Sequence, residues 1–212
     1  MKLYGYFRSS AAFRVRIGLA LKNLPYDNAY IHLRKGEQSR ADYTSINPQG
    51  LVPALIDGPH VLTQSLAILE YLDETRPEPP LLPKAPVDRA RVRAIALAIA
   101  CEIHPLNNLR VLNYLDKALK VPQPLRDDWY RHWVQQGFAA VEAMLADART
   151  GTFCHGDTPG LADICLVPQV FNARRVDTPL APYARLMRIF EACMKLPAFA
   201  GAEPGKQPDA EA

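Results

Sequence analysis

The first 75 residues alternate between two hydrophobic patterns. Two segments rich in aromatic and branched side chains predict strands, namely residues 2–7 (KLYGYF) and 26–33 (YDNAYIHL). Between them, apolar residues recur at steps of three and four after Ala12, at Phe13, Ile17, Leu21 and Leu24. That spacing predicts an amphipathic helix directly behind the first strand.

The same alternation continues and closes a small domain. A polar helix is predicted over residues 39–45, ended by the turn sequence NPQG, and an apolar strand over residues 51–57 (LVPALID). Asp57-Gly58 predicts a turn into a short partner strand, HVLT. Residues 64–75 then predict a helix with leucines along one face: Leu66, Leu69 and Leu72. The order of these elements indicates a small mixed sheet with helices packed on it.

A proline-rich segment separates this domain from a helical one. Residues 77–86 (PEPPLLPKAP) hold five prolines and predict a stiff, extended linker. The later periodicity is helical, over residues 89–119 with an interruption at Pro105, 125–148, 161–171 and 185–196. The final GAEPGKQPDAEA is expected to be loose. The sequence therefore predicts an α/β domain over residues 1–80 and an all-α domain over residues 87–212.

The positions of the apolar residues in two of these helices predict which sides of each helix are buried. One helix has a stripe of apolar side chains at Val134, Phe138, Val141 and Leu145, which we expect to face the core. The segment 161–171 is apolar on nearly every side, which predicts a helix buried all round.

Composition and charge narrow the classes of function. The chain of 212 residues is 49% hydrophobic and 22% charged, with a net charge of +3 and no basic block with interleaved aromatics, so we expect no nucleic-acid partner. The apolar runs are too short to span a bilayer, and Arg8 interrupts the first of them, so we expect no membrane partner and a cytoplasmic location. The four cysteines lack metal or redox spacing and are expected to be core thiols, with no metal site: Cys101, Cys154, Cys165 and Cys193.

The segment RSSAAFRVRIGLAL (residues 8–21) joins the first strand to the first helix, with Ser9 and Ser10 at the junction. Two interpretations stay open on these residues alone. One of the serines can simply cap the helix. Alternatively, the N–H groups and positive dipole end of the helix start hold an anion such as a thiolate, with a serine hydroxyl as a further donor. Arg14 and Arg16, a full turn later, are interpreted as charges on the helix surface or the core rim.

Two further junctions have a similar character. Gln64 and Ser65 precede a helix, where Ser65 can cap that helix or face a ligand carboxylate. Val52-Pro53 opens a strand, and a proline, which cannot donate to the sheet, belongs at a strand start, at an edge or in a cis turn. The Val52 backbone is then available to pair with an extended peptide ligand.

Five motifs in order along the chain carry a resemblance to a known family: RSSAAFRVRIGLALK, SINPQGLVPAL, QSLAILEYLDETRP, IHPLNNLRVL and LADICLVPQV. In these motifs the chain resembles the cytosolic glutathione transferases, and within them the zeta class, over nearly its whole length. The resemblance implies a thioredoxin-like first domain, an all-helical second domain, a homodimer, and glutathione as the bound peptide.

The resemblance also implies roles for residues of the first domain. It assigns Ser9 and Ser10 to the glutathione thiol, Val52 and a cis Pro53 to the cysteinyl backbone, Gln64 and Ser65 to the γ-glutamyl end, and Gln38 to the glycyl carboxylate. Ala11 stands where animal members of the class have a cysteine. Catalysis is therefore expected to rest on the glutathione sulfur.

In the second domain, IHPLNNLRVL places His104 and Asn108 four residues apart on a helix face, with Asn107 beside them. The residues alone allow a buried, satisfied polar cluster. The resemblance implies instead that this segment faces the first domain and contributes to cofactor binding. Gly160, followed three residues later by Asp163, predicts a structural helix cap.

The reaction that the resemblance implies is a glutathione-dependent cis–trans isomerisation. A small-molecule diacid, maleylacetoacetate, becomes fumarylacetoacetate through reversible addition of the thiolate to the double bond. Arginine suits the two carboxylates and the negative charge that develops, and our candidates are Arg8, Arg110 and Arg175. Maleylpyruvate as substrate, transfer of glutathione to α-haloacids, and non-catalytic binding of glutathione stay open as alternatives.

Overall fold

The computed structural model describes residues 1–211, and these residues form two compact units. The first unit comprises residues 1–81 together with the chain from Lys195 onward, and the second comprises residues 82–194. The predicted all-α domain over residues 87–212 is thus incorrect at its end, because the last stretch of chain packs with the α/β unit.

A four-stranded mixed sheet forms the centre of the first unit. Its strands are β1 (Lys2–Gly5), β2 (Asp27–Tyr30), β3 (Ala54–Asp57) and β4 (His60–Thr63), in the spatial order β2-β1-β3-β4. β1 is parallel to β2 and antiparallel to β3, and β3 is antiparallel to β4. The helices of this unit are α1 (Ser10–Leu21), α2 (Ala41–Thr44), α3 (Ser65–Thr75) and the short α9 (Pro197–Ala200). The predicted class of this part, a small mixed sheet with helices, is confirmed.

The core of the first unit lies where α1 and α3 meet the sheet. Its buried side chains come from both helices and two strands: Leu3, Val15, Leu19, Leu55, Ile68 and Leu72. A Cβ atom added at Gly18 would lie 2.2 Å from Leu69 Cδ2, so the two helices approach closely at this glycine. Burial of this apolar surface holds the starts of both helices in fixed positions on the sheet.

The strands and α2 of the first unit are shorter than the sequence pattern predicted. β1 ends at Gly5 because the chain turns over Tyr6–Ser9, where the Ser9 N–H donates to the Tyr6 carbonyl at 3.0 Å. The predicted polar helix over residues 39–45 is reduced to α2, preceded by two 3₁₀ turns at Leu33–Lys35 and Glu37–Ser39. Aromatic and polar runs of this kind do not show where a strand ends and a turn begins.

The segment GAEPGKQPDAEA, which was predicted to be loose, is held to the first unit in its described part. α9 packs on α1, and a 3₁₀ turn follows at Pro204–Lys206. The buried Arg16 guanidinium donates to the Ala202 carbonyl, and the Phe7 N–H donates to the Asp209 carboxylate at 2.9 Å. Hydrogen bonds to partners far away in sequence therefore order a stretch whose composition is typical of a flexible tail.

The second unit is entirely helical in its regular structure. Its helices are α4 (Pro86–Leu97), α5 (Leu109–Lys117), α6 (Gln123–Met144), α7 (Leu161–Arg175) and α8 (Ala184–Met194), with a π-helical stretch at Ala98–Ile103 and a 3₁₀ turn at Pro105–Asn107. The predicted stripe of α6 is buried, and so are residues 161–170 of α7, as expected. None of the helices in residues 1–211 is long and apolar enough to cross a membrane.

Two prolines set the boundaries of the first helices in this unit. The sequence pattern predicts Pro86 as part of the extended linker, but Pro86 lies in the first turn of α4. The N–H groups of a first turn have no acceptor within the helix, so a proline there costs no hydrogen bond. Pro105 ends the π-helical stretch and starts the 3₁₀ turn, so the predicted interruption is confirmed.

Asp163 fixes the start of α7. Its carboxylate accepts the Gly160 N–H at 2.9 Å and the Cys154 N–H at 2.8 Å, and the residue is only 1% exposed. Burial raises the pKa of Asp163, and the two N–H donors oppose that rise. The predicted structural cap is therefore present, and it also ties the preceding loop to the helix.

We expect Asp163→Ala to lower the free energy of unfolding by about 2–5 kcal/mol, because two buried N–H groups lose their acceptor. Asp163→Asn keeps an acceptor oxygen and should lose less. Chemical denaturation measures both. The matched control is Asp128→Ala, which removes an exposed ion pair with Arg131 and should cost less than about 1 kcal/mol. Equal losses in Asp163→Ala and Asp128→Ala would contradict the structural role.

Candidate functional site

The ends of three strands bring the predicted glutathione residues of the first unit to one edge of the sheet. β1 and β3 are antiparallel, with Tyr4 opposite Ala54, and β4 is antiparallel to β3, with Thr63 opposite Ala54. The end of β1, the start of β3 and the end of β4 therefore share one edge. The segments attached there are the start of α1, the Val52-Pro53 peptide and the start of α3.

Ser9 is the N-cap of α1. Its Oγ accepts the Ala12 N–H at 3.2 Å, so the hydroxyl proton of Ser9 is available to donate elsewhere. Ser10, the first residue of the helix, is 7% exposed, whereas Ser9 is half-buried. The capping and the donor interpretations of Ser9 are thus compatible. Of the two serines, Ser9 has the better access to an anion at the helix start.

Val52 lies beside a cis peptide bond to Pro53, as the resemblance implied. Within the described residues, the N–H and carbonyl of Val52 have no hydrogen-bond partner. The peptide before it is held firmly, because the Leu51 carbonyl accepts from the Tyr43 hydroxyl and the Asn47 amide, each at 2.6 Å. A fixed backbone with open hydrogen-bonding groups can pair with an extended peptide.

The start of α3 departs from the prediction. Gln64, not Ser65, occupies the N-cap position, with φ 66°, and no side chain caps the helix. The Gln64 Nε2 instead donates to Gln49 Oε1 at 2.8 Å. Ser65 is buried, and its Oγ accepts from Arg14 Nη1 at 3.4 Å. The hydroxyl of Ser65 is therefore directed by a cation and not by its own helix.

Gln38 lies next to the same edge of the sheet, because its carbonyl group lies close to Gly50. A Cβ atom at Gly50 would lie 3.1 Å from the Gln38 carbonyl oxygen, and the φ of +60° at Gly50 is one that favours glycine. The Gln38 Oε1 atom is buried and has no hydrogen-bond partner among the described residues. An amide oxygen needs a donor, which the glycyl carboxylate lacks, so the predicted contact would have to use the Nε2 group of Gln38.

Arg14 and Arg16 were interpreted as surface or rim charges, and this interpretation is wrong. They are 2% and 4% exposed. Arg16 donates to the Ala202 carbonyl from Nε at 3.1 Å and from Nη2 at 3.0 Å, and to the Phe7 carbonyl from Nη2 at 3.1 Å. Burial lowers the pKa of Arg16 to about 10, so the guanidinium stays charged at neutral pH. Carbonyl oxygens distant in sequence make this burial possible, and no local sequence signal shows them.

The predicted polar cluster of the second unit is present in part. Asn108 caps α5, with its Oδ1 accepting the Arg110 N–H at 3.1 Å, and its Nδ2 lies 3.4 Å from His104 Nε2. Asn107 is buried and donates to the Tyr130 carbonyl at 3.4 Å. The pairing of His104 with Asn108 agrees with the predicted proximity. Asn107, the last residue of the 3₁₀ turn, binds α6 instead.

The candidate arginines of the second unit differ in their surroundings. Arg110 is exposed on α5. Arg175 donates to the Tyr130 hydroxyl at 3.4 Å, and its guanidinium lies 6.0 Å from the centre of that ring. Its neighbour Arg174 packs over Phe190 at 4.4 Å instead. The tyrosine orients Arg175 and leaves other N–H groups of the guanidinium for an anion.

The cysteines offer no nucleophile of their own at the start of α1. Cys154, Cys165 and Cys193 are buried as predicted, and burial raises the pKa of the Cys154 and Cys193 thiols. The expectation of a core thiol is wrong for Cys101, which is exposed in the π-helical stretch. Among residues 1–211, no group of His, Cys, Asp and Glu side chains could hold a metal ion.

Family models match both parts of the chain. The model for the glutathione S-transferase N-terminal domain matches residues 1–74, and that for the glutathione S-transferase C-terminal domain matches residues 127–192. A probable maleylacetoacetate isomerase of Vibrio cholerae is 50% identical, over 98% of this chain and 97% of its own.

Two solved structures agree with this similarity. The holo structure of a maleyl pyruvate isomerase, a bacterial glutathione S-transferase of the zeta class, has a TM-score of 0.98 at 46% identity, with 100% of both chains covered. A maleylacetoacetate isomerase from Methylobacterium extorquens AM1, solved with bound malonate and GSH, has a TM-score of 0.97 at 43% identity, again with 100% of both chains covered.

The chain belongs to the glutathione transferase family. Within that family it is a member of the zeta class. The resemblance predicted from the five motifs is confirmed, and with it the combination of a thioredoxin-like unit and a helical unit.

Proposed function

We propose that the edge of the sheet in the first unit binds glutathione in an extended conformation. Two groups there lack partners that a tripeptide would supply, the Ser9 hydroxyl proton and the Val52 backbone, and Gln38 lies beside them as the predicted partner of the glycyl carboxylate. Pro53 keeps the Val52 peptide at the start of β3, and Gln64 and Ser65 at the start of α3 receive the γ-glutamyl end. Relatives of this class are described with bound GSH, which supports the assignment.

The observation that carries the catalytic proposal is the hydrogen bonding of Ser9. Because its Oγ already accepts the Ala12 N–H, the Ser9 hydroxyl can act toward an anion as a donor. A donor at the positive end of a helix stabilises a thiolate relative to a thiol. One charge-assisted hydrogen bond is enough to lower a thiol pKa by about one unit, which corresponds to about 1.4 kcal/mol. Ser10, at the first turn of α1, is the second candidate for this donor.

The reaction follows as an isomerisation of a cis-ene-dione diacid, maleylacetoacetate, to fumarylacetoacetate. Bound glutathione supplies the thiolate that adds reversibly to the double bond, which is single while the adduct lasts and can then rotate. The protein must hold two carboxylates and stabilise the negative charge that develops on the substrate carbonyl. We assign these tasks to Arg8, Arg110 and Arg175, with His104, Asn107 and Asn108 as further binding residues. The three arginines suit the tasks because a guanidinium binds a carboxylate through two parallel hydrogen bonds.

A second candidate substrate is maleylpyruvate, because a relative that matches this chain over its full length is described as a maleyl pyruvate isomerase. The two diacids differ by a methylene beside a carboxylate, which allows discrimination of only about 1–3 kcal/mol. Turnover of both diacids, measured side by side with glutathione present, decides between them. Chloride release from dichloroacetate would favour a transferase of α-haloacids. Retention on immobilised glutathione without turnover would favour a binding protein.

We also propose that the protein is a homodimer in the cytoplasm. Membership of the family supports the dimer, and four free cysteines, three of them buried, suit a reducing compartment. The mass of the protein in solution, from light scattering, tests the dimer.

The first prediction concerns the thiolate donor. Ser9→Ala should raise the pKa of the bound glutathione thiol by about one unit, the value of one charge-assisted hydrogen bond, and Ser10→Ala should have a smaller effect. Tyr6→Phe should leave it unchanged, because the Tyr6 ring is buried against Phe7 and burial raises the pKa of Tyr6 itself. Titration of the thiolate absorbance measures all three. A change of the thiol pKa in Tyr6→Phe, with no change in either serine variant, would contradict the assignment of Ser9 as the donor.

The second prediction concerns the substrate carboxylates. Arg8→Met and Arg175→Met should raise the Michaelis constant for the diacid or lower turnover by roughly one to three orders of magnitude, the loss of a charge-assisted pair. Glutathione affinity should stay nearly intact. Arg174→Met is the matched control, since Arg174 packs over Phe190. Loss of glutathione affinity in both variants, with diacid binding unchanged, would show that these arginines serve the cofactor instead.

The third prediction tests whether the glutathione sulfur is the nucleophile. S-methylglutathione should compete with glutathione for binding and support no isomerisation, because the capped sulfur cannot form a thiolate. Alkylation of the exposed Cys101 should leave turnover intact. The reverse pattern, in which the methylated cofactor works and Cys101 alkylation inactivates, would assign the chemistry to a thiol of the protein.

A further inference from the structure

The turn between β1 and α1 is held by charged groups on both sides of Phe7. The Phe7 N–H donates to the Asp209 carboxylate at 2.9 Å, and the Phe7 carbonyl accepts from Arg16 Nη2 at 3.1 Å. The turn closes with the Ser9 N–H donating to the Tyr6 carbonyl at 3.0 Å. Ionic side chains therefore hold both the N–H and the carbonyl of Phe7, which lies two residues before Ser9.

Asp209 reaches this turn because the chain around it is fixed at several points. Arg16 binds the Ala202 carbonyl, and Ala210 packs against the apolar cluster that contains Tyr6 and Phe7. Glu211 lies 2.5 Å from His32 Nε2. Anchors before and after Asp209 in sequence thus hold its carboxylate against the Phe7 N–H.

Charged side chains surround the turn. Burial is the main cause that raises the pKa of Tyr6; Glu211 and Asp209 raise it further, whereas Arg8 and Arg34 lower it. Arg16, on the inner side, stays protonated at neutral pH. Two carboxylates on the segment after α9 therefore lie within electrostatic reach of a turn that carries the arginine and the serine of the proposed site.

We propose that Asp209 is a positioning residue for the thiolate site, acting through the main chain of Phe7 on Arg8 and Ser9. This inference rests on the proposed role of Ser9. A hydrogen bond from a backbone N–H to a carboxylate is stronger than one to water and fixes the peptide plane. Without Asp209, the peptide that precedes Arg8 and Ser9 has one fewer restraint, and the donor geometry at the helix start becomes less well defined.

Asp209→Ala tests this proposal, with Asp209→Asn as the conservative variant that keeps an acceptor oxygen. Glu203→Gln is the matched control, because Glu203 is a carboxylate of the same segment whose side chain pairs with Lys206 and not with the turn. The readouts are the thiolate absorbance of bound glutathione against pH, kcat and KM for the diacid, and the melting temperature. Measurements use the full chain with glutathione bound.

In Asp209→Ala we expect the pKa of the bound thiol to rise by roughly half a unit to one unit and kcat to fall by about tenfold, because the donor is misplaced. The melting temperature should change little, and KM for the diacid should rise less than in Arg8→Met. Asp209→Asn should recover much of the loss, and Glu203→Gln should resemble the unmodified protein.

Two results would overturn the inference. One is a bound-thiol pKa in the folded fraction of Asp209→Ala that equals that of Glu203→Gln, while Ser9→Ala shifts it. A positioning role of Asp209 is then excluded although Ser9 keeps its function. The other is a thiol pKa that moves in neither Ser9→Ala nor Ser10→Ala, which overturns the proposed thiolate site and this inference together. If Asp209→Ala folds poorly, Asp209→Leu, which fills the space of the side chain without offering an acceptor, is compared with Glu203→Gln in its place.

Discussion

Arg16 is a charged side chain in an interior where charge is costly, and it remains there because backbone oxygens surround its guanidinium. Two carbonyl groups, of Phe7 and Ala202, accept its N–H groups. Loss of either acceptor would leave the buried cation only partly compensated, and an uncompensated buried charge typically costs several kcal/mol. Through this one side chain, helix α1 is joined to the turn that precedes it and to a stretch of chain 186 residues away. The position of the start of α1, and therefore of Ser9, depends on these hydrogen bonds of Arg16.

The proposed thiolate site therefore consists mainly of backbone hydrogen-bonding groups, with few side chains. Ser9 offers a hydroxyl, Val52 offers a peptide group, and the edge of the mixed sheet sets their separation. Backbone donors need no particular residue type, so the chemistry depends on what keeps the backbone in place. Here that support comes from buried polar contacts, such as the Leu51 carbonyl between Tyr43 and Asn47. The arginines proposed for the substrate add what this backbone lacks, namely positive charge and paired hydrogen bonds for a dianion.

The sequence predicted local features well and long-range ones poorly. The cap at Ser9 could be predicted because its acceptor and the Ala12 N–H are three residues apart. The burial of Arg16 could not, since its acceptors come from a turn and from a distant segment. Ser65 fits a cap by residue type, but the chain places Gln64 there and turns the serine toward Arg14. Local chemistry pointed to the serines and to Val52 as candidates, but their roles came from the resemblance, which carries tertiary information that periodicity lacks.

The first unit is assembled from two stretches of chain with the whole second unit between them. During synthesis on the ribosome, residues 1–81 emerge long before Ala202 and Asp209 exist. Until then, Arg16 has only part of its set of acceptors, and the turn before α1 lacks its carboxylate. Contacts between such distant residues are slow to form because a long loop must close first. The strand-and-helix scaffold can therefore form early, whereas the turn that precedes Ser9 reaches its final geometry only after Asp209 has been made.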